Sequence, residues 1–291
     1  MLTKQKYSMK NQFYLFLTSL ILALSQHGIA LAASTSFGLL PYLSPQKLIQ
    51  VYTPLKQAME QELDVDIRFL SAPNFAEYVR RAETLRYDFY LTAPHFASFV
   101  AKQYNYKPLV QVKQLISGVI IVPVNSTYQI ISDLKGATLY TPDPLAIVSI
   151  LGSELLLQHE LINNQTIFLK QSFSHNNAIL GIINNKADGA IVAKGVFNTM
   201  PNRIRNQLRV LGETKQVPSL TVLVSPNIPL EQCRQVKALL LKFHHSMKGK
   251  RFFSHTGFRE FIEVDANGFD QLDIYAKRVE SSFTQKAVVL E

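Results

Sequence analysis

The residue best placed to do chemistry in this 291-residue chain is His175. It stands in Phe173-Ser174-His175-Asn176-Asn177, ahead of Ala178, Ile179, Ile182 and Ile183 at helical spacing and of an apolar run from Gly189 to Val192. The pattern reads as strand end, helix, turn and buried strand. It sets His175 at a helix start beyond a strand's carboxyl end, the usual ligand edge of an open α/β sheet. A neutral imidazole donates from one nitrogen and accepts at the other, and a protonated one pairs with an anion. Two roles fit: contact with a ligand, or a helix-terminal histidine bonded to backbone.

Catalysis has less to stand on. No Gly-x-Ser-x-Gly elbow or comparable triad signature occurs. The single cysteine, Cys233, cannot form an internal disulfide and falls in register with Leu230, Val236, Leu240, Phe243 and Met247, which reads as one core-facing helix stripe. His244 and His245 are adjacent, so a helix would turn them to different faces and not to the i, i+4 spacing of a metal pair. The expectation is a non-enzymatic protein without metal or cofactor.

Strand-like and helical runs alternate, which predicts an α/β fold of mainly parallel sheets flanked by helices. Helices are expected over 45–63, 75–82, from 94, over 144–161, after His175, over 230–247 and over 269–279. Pro54 either kinks the first of these or marks its true start. Strands are expected over 37–40, 65–70, 88–92, 138–141, 166–171, 189–192 and 208–211. Two apolar strands, 117–124 and 220–224, read as crossings between lobes. Residues 34–118 and 223–291 then form one lobe, residues 119–222 an inserted second, and the two crossover strands a hinge.

The N-terminus carries Lys4, Lys6 and Lys10 with no acid, then the apolar run from Phe13 to Leu24, then Ala30-Leu31-Ala32-Ala33. Residues 1–33 thus read as a secretory signal peptide, with an apolar core too short to span a bilayer. The formal charge is +9; without those three lysines 27 basic and 21 acidic residues leave +6, spread without long blocks. That excess could speed capture of an anion or serve solubility alone. An exported chain without a basic-aromatic motif excludes nucleic acid as an expected partner.

Several segments resemble the phosphate/phosphite/phosphonate-type periplasmic substrate-binding proteins of ABC importers. Val51-Tyr52-Thr53-Pro54-Leu55 is similar to that family's first-helix pattern, and Ser71-Ala72-Pro73-Asn74-Phe75-Ala76 to its Ala-Pro-Asp-Tyr segment. Tyr87 to Pro94 is similar to its strand and following loop, and His175 to Asp188 is the most specific match. The resemblance covers most of the chain after residue 33. It implies the type II two-lobed fold, a cleft, ligand-driven closure and a monomer that meets an ABC permease or a membrane sensor.

The resemblance also implies site residues. They are His175, Thr92 and His95 in a cleft-facing loop, Phe75 in place of a family tyrosine, and Tyr42 near the first-lobe edge. Thr141 and Asp143 occupy the loop where phosphonate-binding relatives carry a Ser-Thr-Ser-Gly type sequence, and Lys194 follows the Gly189 strand. This chain departs from the pattern. Asp143 can itself cap the following helix, Pro144 at a first helical position offers no amide proton, and Phe75 lacks a phenolic donor. Lys194 either restores positive character to the cleft or is solvated. The expected function is capture of a small molecule, either a phosphonate- or phosphate-like anion or something less charged. A sensory or scaffold module of the same fold is the alternative.

Overall fold

The structure is a computed structural model that describes residues 34–265, 269 and 271–288; the signal peptide expected over 1–33 lies outside these residues. No helix among the described residues is long and apolar enough to cross a membrane.

Strand and helix alternate from the start: β1 (Ser34–Leu39), α1 (Pro45–Leu63), β2 (Asp66–Leu70), α2 (Phe75–Glu83), β3 (Phe89–Thr92), α3 (Pro94–Tyr104) and β4 (Lys107–Val112). The middle of the chain continues with β5 (Gly118–Pro123), β6 (Thr138–Thr141), α4 (Ile147–Gln158), β7 (Phe168–Gln171) and α5 (His175–Ile183). β8 (Gly189–Ala193), α6 (Lys194–Asn198), α7 (Asn202–Arg205) and β9 (Leu208–Glu213) follow. The last part holds β10 (Thr221–Val224), α8 (Leu230–Lys242), α9 (Met247–Thr256), β11 (Phe261–Ile262) and α10 (Asp273–Val288).

Two sheets result, in the orders β11-β4-β10-β3-β1-β2 and β7-β6-β8-β5-β9. The chain therefore leaves the first sheet after β4 and returns to it at β10. β5 lies between β8 and β9, and β10 between β3 and β4, so neither strand is itself the crossing. Both are apolar because they fill sheet interiors. The passages are the segments 113–117 and 214–219 just before them. These pair with each other: the Ile116 amide donates to the Val217 carbonyl (2.8 Å) and the Val217 amide to that of Ile116 (2.9 Å).

The sheets are mixed. β1–β3, β6–β7 and β6–β8 are parallel, as strand–helix–strand units require, whereas β5 and β10 run antiparallel to both of their neighbours. A strand arriving from the other sheet needs no covering crossover helix, so it is free to enter in the opposite sense. One device recurs in both sheets. Asp88 accepts the Ser36 amide (2.7 Å) just before β3, and Asp188 accepts the Thr138 amide (2.7 Å) just before β8, fixing the register of adjacent parallel strands.

Other departures are local. Pro54 lies buried inside an unbroken α1 that starts at Pro45 behind its cap, Ser44. The helix expected over 230–247 stops at Lys242, passes through a 3-10 turn over Phe243–His245, and restarts at Met247 behind Ser246, whose hydroxyl accepts the Gly249 amide (2.9 Å). The tighter turn brings the His244 and His245 rings to 3.8 Å instead of separating them. Leu230 and Met247 become exposed ends of the expected stripe, and only Val236, Leu240 and Phe243 of it are fully buried.

Candidate functional site

Where the chain passes between the sheets it encloses a cavity of 370 Å³, in the size range of small-molecule sites. Leu40, Tyr42, Phe75 and Ala93 line it from the first sheet's side. Ile116, Ser117, Ser219 and Leu220 belong to the passages, and Ala146, Ile147, Val148, His175 and Lys194 line it from the second sheet's side.

His175 is the first residue of α5, behind Ser174, whose hydroxyl accepts the Asn177 amide (3.2 Å). With its own cap in place the helix leaves the imidazole free for other work. The ring is 5 % exposed, and Nδ1 accepts the Ala193 amide (3.2 Å), which puts the proton on Nε2. Burial lowers the pKa from 6.5 to about 4, so the ring is neutral near pH 7. Of the two roles open in the sequence the bond to backbone is present, through Nδ1, and Nε2 is left as a donor without a protein partner among the described residues.

Ala193 is paired across the sheet with Gly118, and a Cβ on Gly118 would stand 3.4 Å from the Val148 carbonyl oxygen. His175 and the first turn of α4 therefore meet at one end of the cavity. Three of the eight expected site residues join His175 in its lining. Phe75 packs edge-on to Phe96, with centroids 5.7 Å apart. Tyr42 bonds the Tyr52 hydroxyl (3.0 Å), and loss of water pushes its phenol up to about 12. Lys194 pairs with Glu213 (2.6 Å), which also accepts the Ser117 hydroxyl (2.7 Å), so its charge is already matched.

The other four do not line the cavity. Thr92 is fully buried in β3, opposite Thr221 of β10. His95, also fully buried, donates through Nε2 to the Leu145 carbonyl (2.8 Å), and burial holds its pKa at about 4. Thr141 donates to the Ser149 hydroxyl (2.7 Å). Asp143 corrects a further expectation: α4 starts at Ile147, so Asp143 is not its cap and Pro144 is not its first residue. Its Oδ1 and carbonyl accept the amides of Leu145 (2.9 Å) and Ala146 (2.8 Å), closing a tight turn, while Oδ2 accepts the Phe75 amide (3.3 Å) at the start of α2. The carboxylate thus spends its acceptors on the turn and on the first lobe, and the helix start moves to Ala146.

What the sequence did not single out is the helix start itself. α1, α2, α5 and α9 are capped by Ser44, Asn74, Ser174 and Ser246. α3 and α4 begin behind Ala93 and Ala146, which supply no side-chain acceptor, and both alanines line the cavity. The first amides of such a helix lack partners and carry its positive end. Ser219, 1 % exposed on the cavity wall, has a hydroxyl with no hydrogen-bond partner. The signal for these positions is alanine where a cap belongs, legible only once the helix starts are known.

α4 is apolar all round because it lies between two packing surfaces: Ile147, Val148, Ile150 and Leu151 join the apolar cluster of the first sheet. Glu154 farther along accepts from the Tyr275 hydroxyl (3.3 Å) and pairs with Arg278 (2.9 Å) of α10.

Residues 37–269 match the family described as the phosphonate ABC transporter periplasmic substrate-binding protein. The chain belongs to this family. Its members are substrate-binding components of transporters, not enzymes. A search of curated protein sequences gives no match. Among solved structures, this binding protein is similar to a binding-protein component of a phosphonate ABC transporter from Pseudomonas aeruginosa, at TM-score 0.75 and 16 % identity over 86 % of this chain and 89 % of that one. It is also similar to PhnD1 from Prochlorococcus marinus in complex with methylphosphonate, at TM-score 0.76 and 13 % identity over 85 % and 98 %. An alkanesulfonate-binding protein from Xanthomonas axonopodis, bound to MOPS, aligns at TM-score 0.57 and 13 % identity over 86 % and 93 %. At these identities the likeness is one of fold, the two-lobed architecture of periplasmic binding proteins.

Proposed function

We propose that this solute-binding protein holds its ligand in the cavity at the passages, with an oxygen-bearing group at the start of α4 and the His175 Nε2–H as a direct donor. The observation that carries the reading is the uncapped start of α4, set beside a neutral buried histidine and the unpartnered Ser219 hydroxyl. A helix start without its own acceptor is completed by a ligand oxygen. Phosphonate relatives make an oxyanion the natural class to try first. Tyr42, Phe75 and Lys194 complete the proposed wall, while Thr92, His95, Thr141 and Asp143 support it from behind or from the adjoining interface.

In this reading the leader over 1–33 is removed on export, the protein acts as a monomer, and an ABC permease receives the closed, loaded form. The hinge is the paired segments 113–117 and 214–219, so that each lobe carries part of the site and contacts made only on closure drive it.

The test is a thermal-shift screen of oxyanionic solutes on the purified protein and on Leu220→Trp, which fills the cavity. A ligand at about 100 times its Kd should stabilise the protein by about 2.7 kcal/mol. The shift should vanish in a Leu220→Trp protein that retains its circular dichroism spectrum. A shift of equal size in both proteins would refute the cavity as the site.

A further inference from the structure

We propose that the ligand is a singly charged oxyanion on an apolar body, and not a doubly charged phosphonate or phosphate. The inference rests on the cavity being the ligand site and adds the charge and shape of what fills it.

The charge follows from the wall. α3 and α4, of 11 and 12 residues, are the two longer helices that start uncapped at the cavity. Each helix start is equivalent to about half an elementary charge, so together they match about one negative charge. Of the two cationic side chains that line the cavity, Lys194 is paired with Glu213 at 2.6 Å and Arg259 is exposed to solvent, so neither is a buried counterion for a second charge. His175 donates one neutral N–H, with Nδ1 occupied by the Ala193 amide. A second charge on the head would be desolvated without a counterpart, at a cost of several kcal/mol. The Asp143 carboxylate, held against the Phe75 amide at 3.3 Å, adds negative potential beside the wall that Phe75 shares and opposes a dianion further.

The body follows from the remaining surface. Although Gln114, Asn198 and Gln216 also line the cavity, Leu40, Phe75, Ile116, Ile147 and Leu220 give it a large apolar wall. A bare oxyanion would leave these in contact with water or void, whereas an alkyl or aryl body covers them.

Calorimetric titration of the full protein with methyl-, butyl- and hexylsulfonate and the matching phosphonates, at about pH 6 and about pH 8.5, tests both halves. Across that window an alkylphosphonate goes from mostly singly to mostly doubly charged, and a sulfonate stays singly charged. The titratable groups at the cavity hold their states: His175 is neutral above about 4, Tyr42 is protonated below about 12, and Glu213, the partner of the lining Lys194, is held ionised by Lys194 and Ser117. Sulfonate affinity should change less than twofold between the two pH values and rise about fourfold per added methylene until the cavity is full. Phosphonate affinity should fall several-fold at the higher pH, in step with its singly charged fraction. Phosphonates that bind more tightly at high pH, methyl compounds that bind as well as hexyl ones, or no binding by sulfonates would each overturn the proposal. The cavity reading fails separately: it is lost if whatever binds does so equally well in folded Leu220→Trp and Ser219→Ala proteins.

Discussion

His175 and His95 are kept neutral by the same cause, removal from water, yet only His175 faces the cavity. Each has a folded-state pKa of about 4 against an ordinary 6.5. The sign follows from proton binding. Between those values the unfolded imidazole takes up a proton and the folded one does not, so acid favours the unfolded chain. Stability should be constant with respect to these groups above about pH 6.5 and fall as the pH drops towards 4, by about 3 kcal/mol for each histidine. Urea unfolding between pH 7.5 and 4.5 measures this (about one histidine's share of the slope should disappear in His95→Gln). An unchanged slope in that variant would exclude the assignment. At His175 itself, replacement by Ala leaves the partly buried Ala193 amide without this partner and should cost about 1 kcal/mol even without ligand.

Among the elements, the α8–α9 break shows how one polar side chain overrides an apolar period. Ser246 takes an extended backbone (ψ 157°), accepts the Gly249 amide and donates to the Phe243 carbonyl (2.8 Å), ending one helix and starting the next. Ser246→Ala should cost about 1 kcal/mol in chemical denaturation. Gly249 is required for a different reason: a Cβ there would lie 1.7 Å from the Phe243 carbonyl oxygen, closer than backbone atoms can yield. Gly249→Ala should lose about 1–3 kcal/mol through displacement of α9, visible as a lower melting temperature. α4 carries the complementary case. Its apolar surface is not the mark of one core but of two, since it packs between the sheets.

For the whole molecule, polar contacts join the lobes beside the apolar packing of α4. Asp143 reaches the Phe75 amide, His95 the Leu145 carbonyl, and Glu154 the pair Tyr275 and Arg278. A hydrogen bond to a charged group contributes about 1.5 kcal/mol or more, so Asp143→Ala should shift the closed-to-open ratio about tenfold towards open. Small-angle scattering of the unliganded protein should record a larger radius of gyration for the variant, and saturating ligand should restore compactness. Equal radii without ligand would show that Asp143 does not hold the lobes together.

Alternation of apolar runs, the turn signals and the segment from His175 to Asp188 were enough to determine an α/β chain of two lobes and the helix start that bears His175. Periodicity encodes local geometry, and that much is local. The sequence also pointed to the strands at 117–124 and 220–224, but their apolarity reported burial in a sheet interior, not passage between sheets. Tertiary structure alone decided that the connection runs through the residues just before them, and that Asp143 faces Phe75 instead of capping α4. It also brought Ala93, Ala146 and Ser219 to one cavity from positions far apart in the chain. An alanine before a helix is silent in one dimension, and it acquires meaning only when folding encloses the uncapped amides behind it.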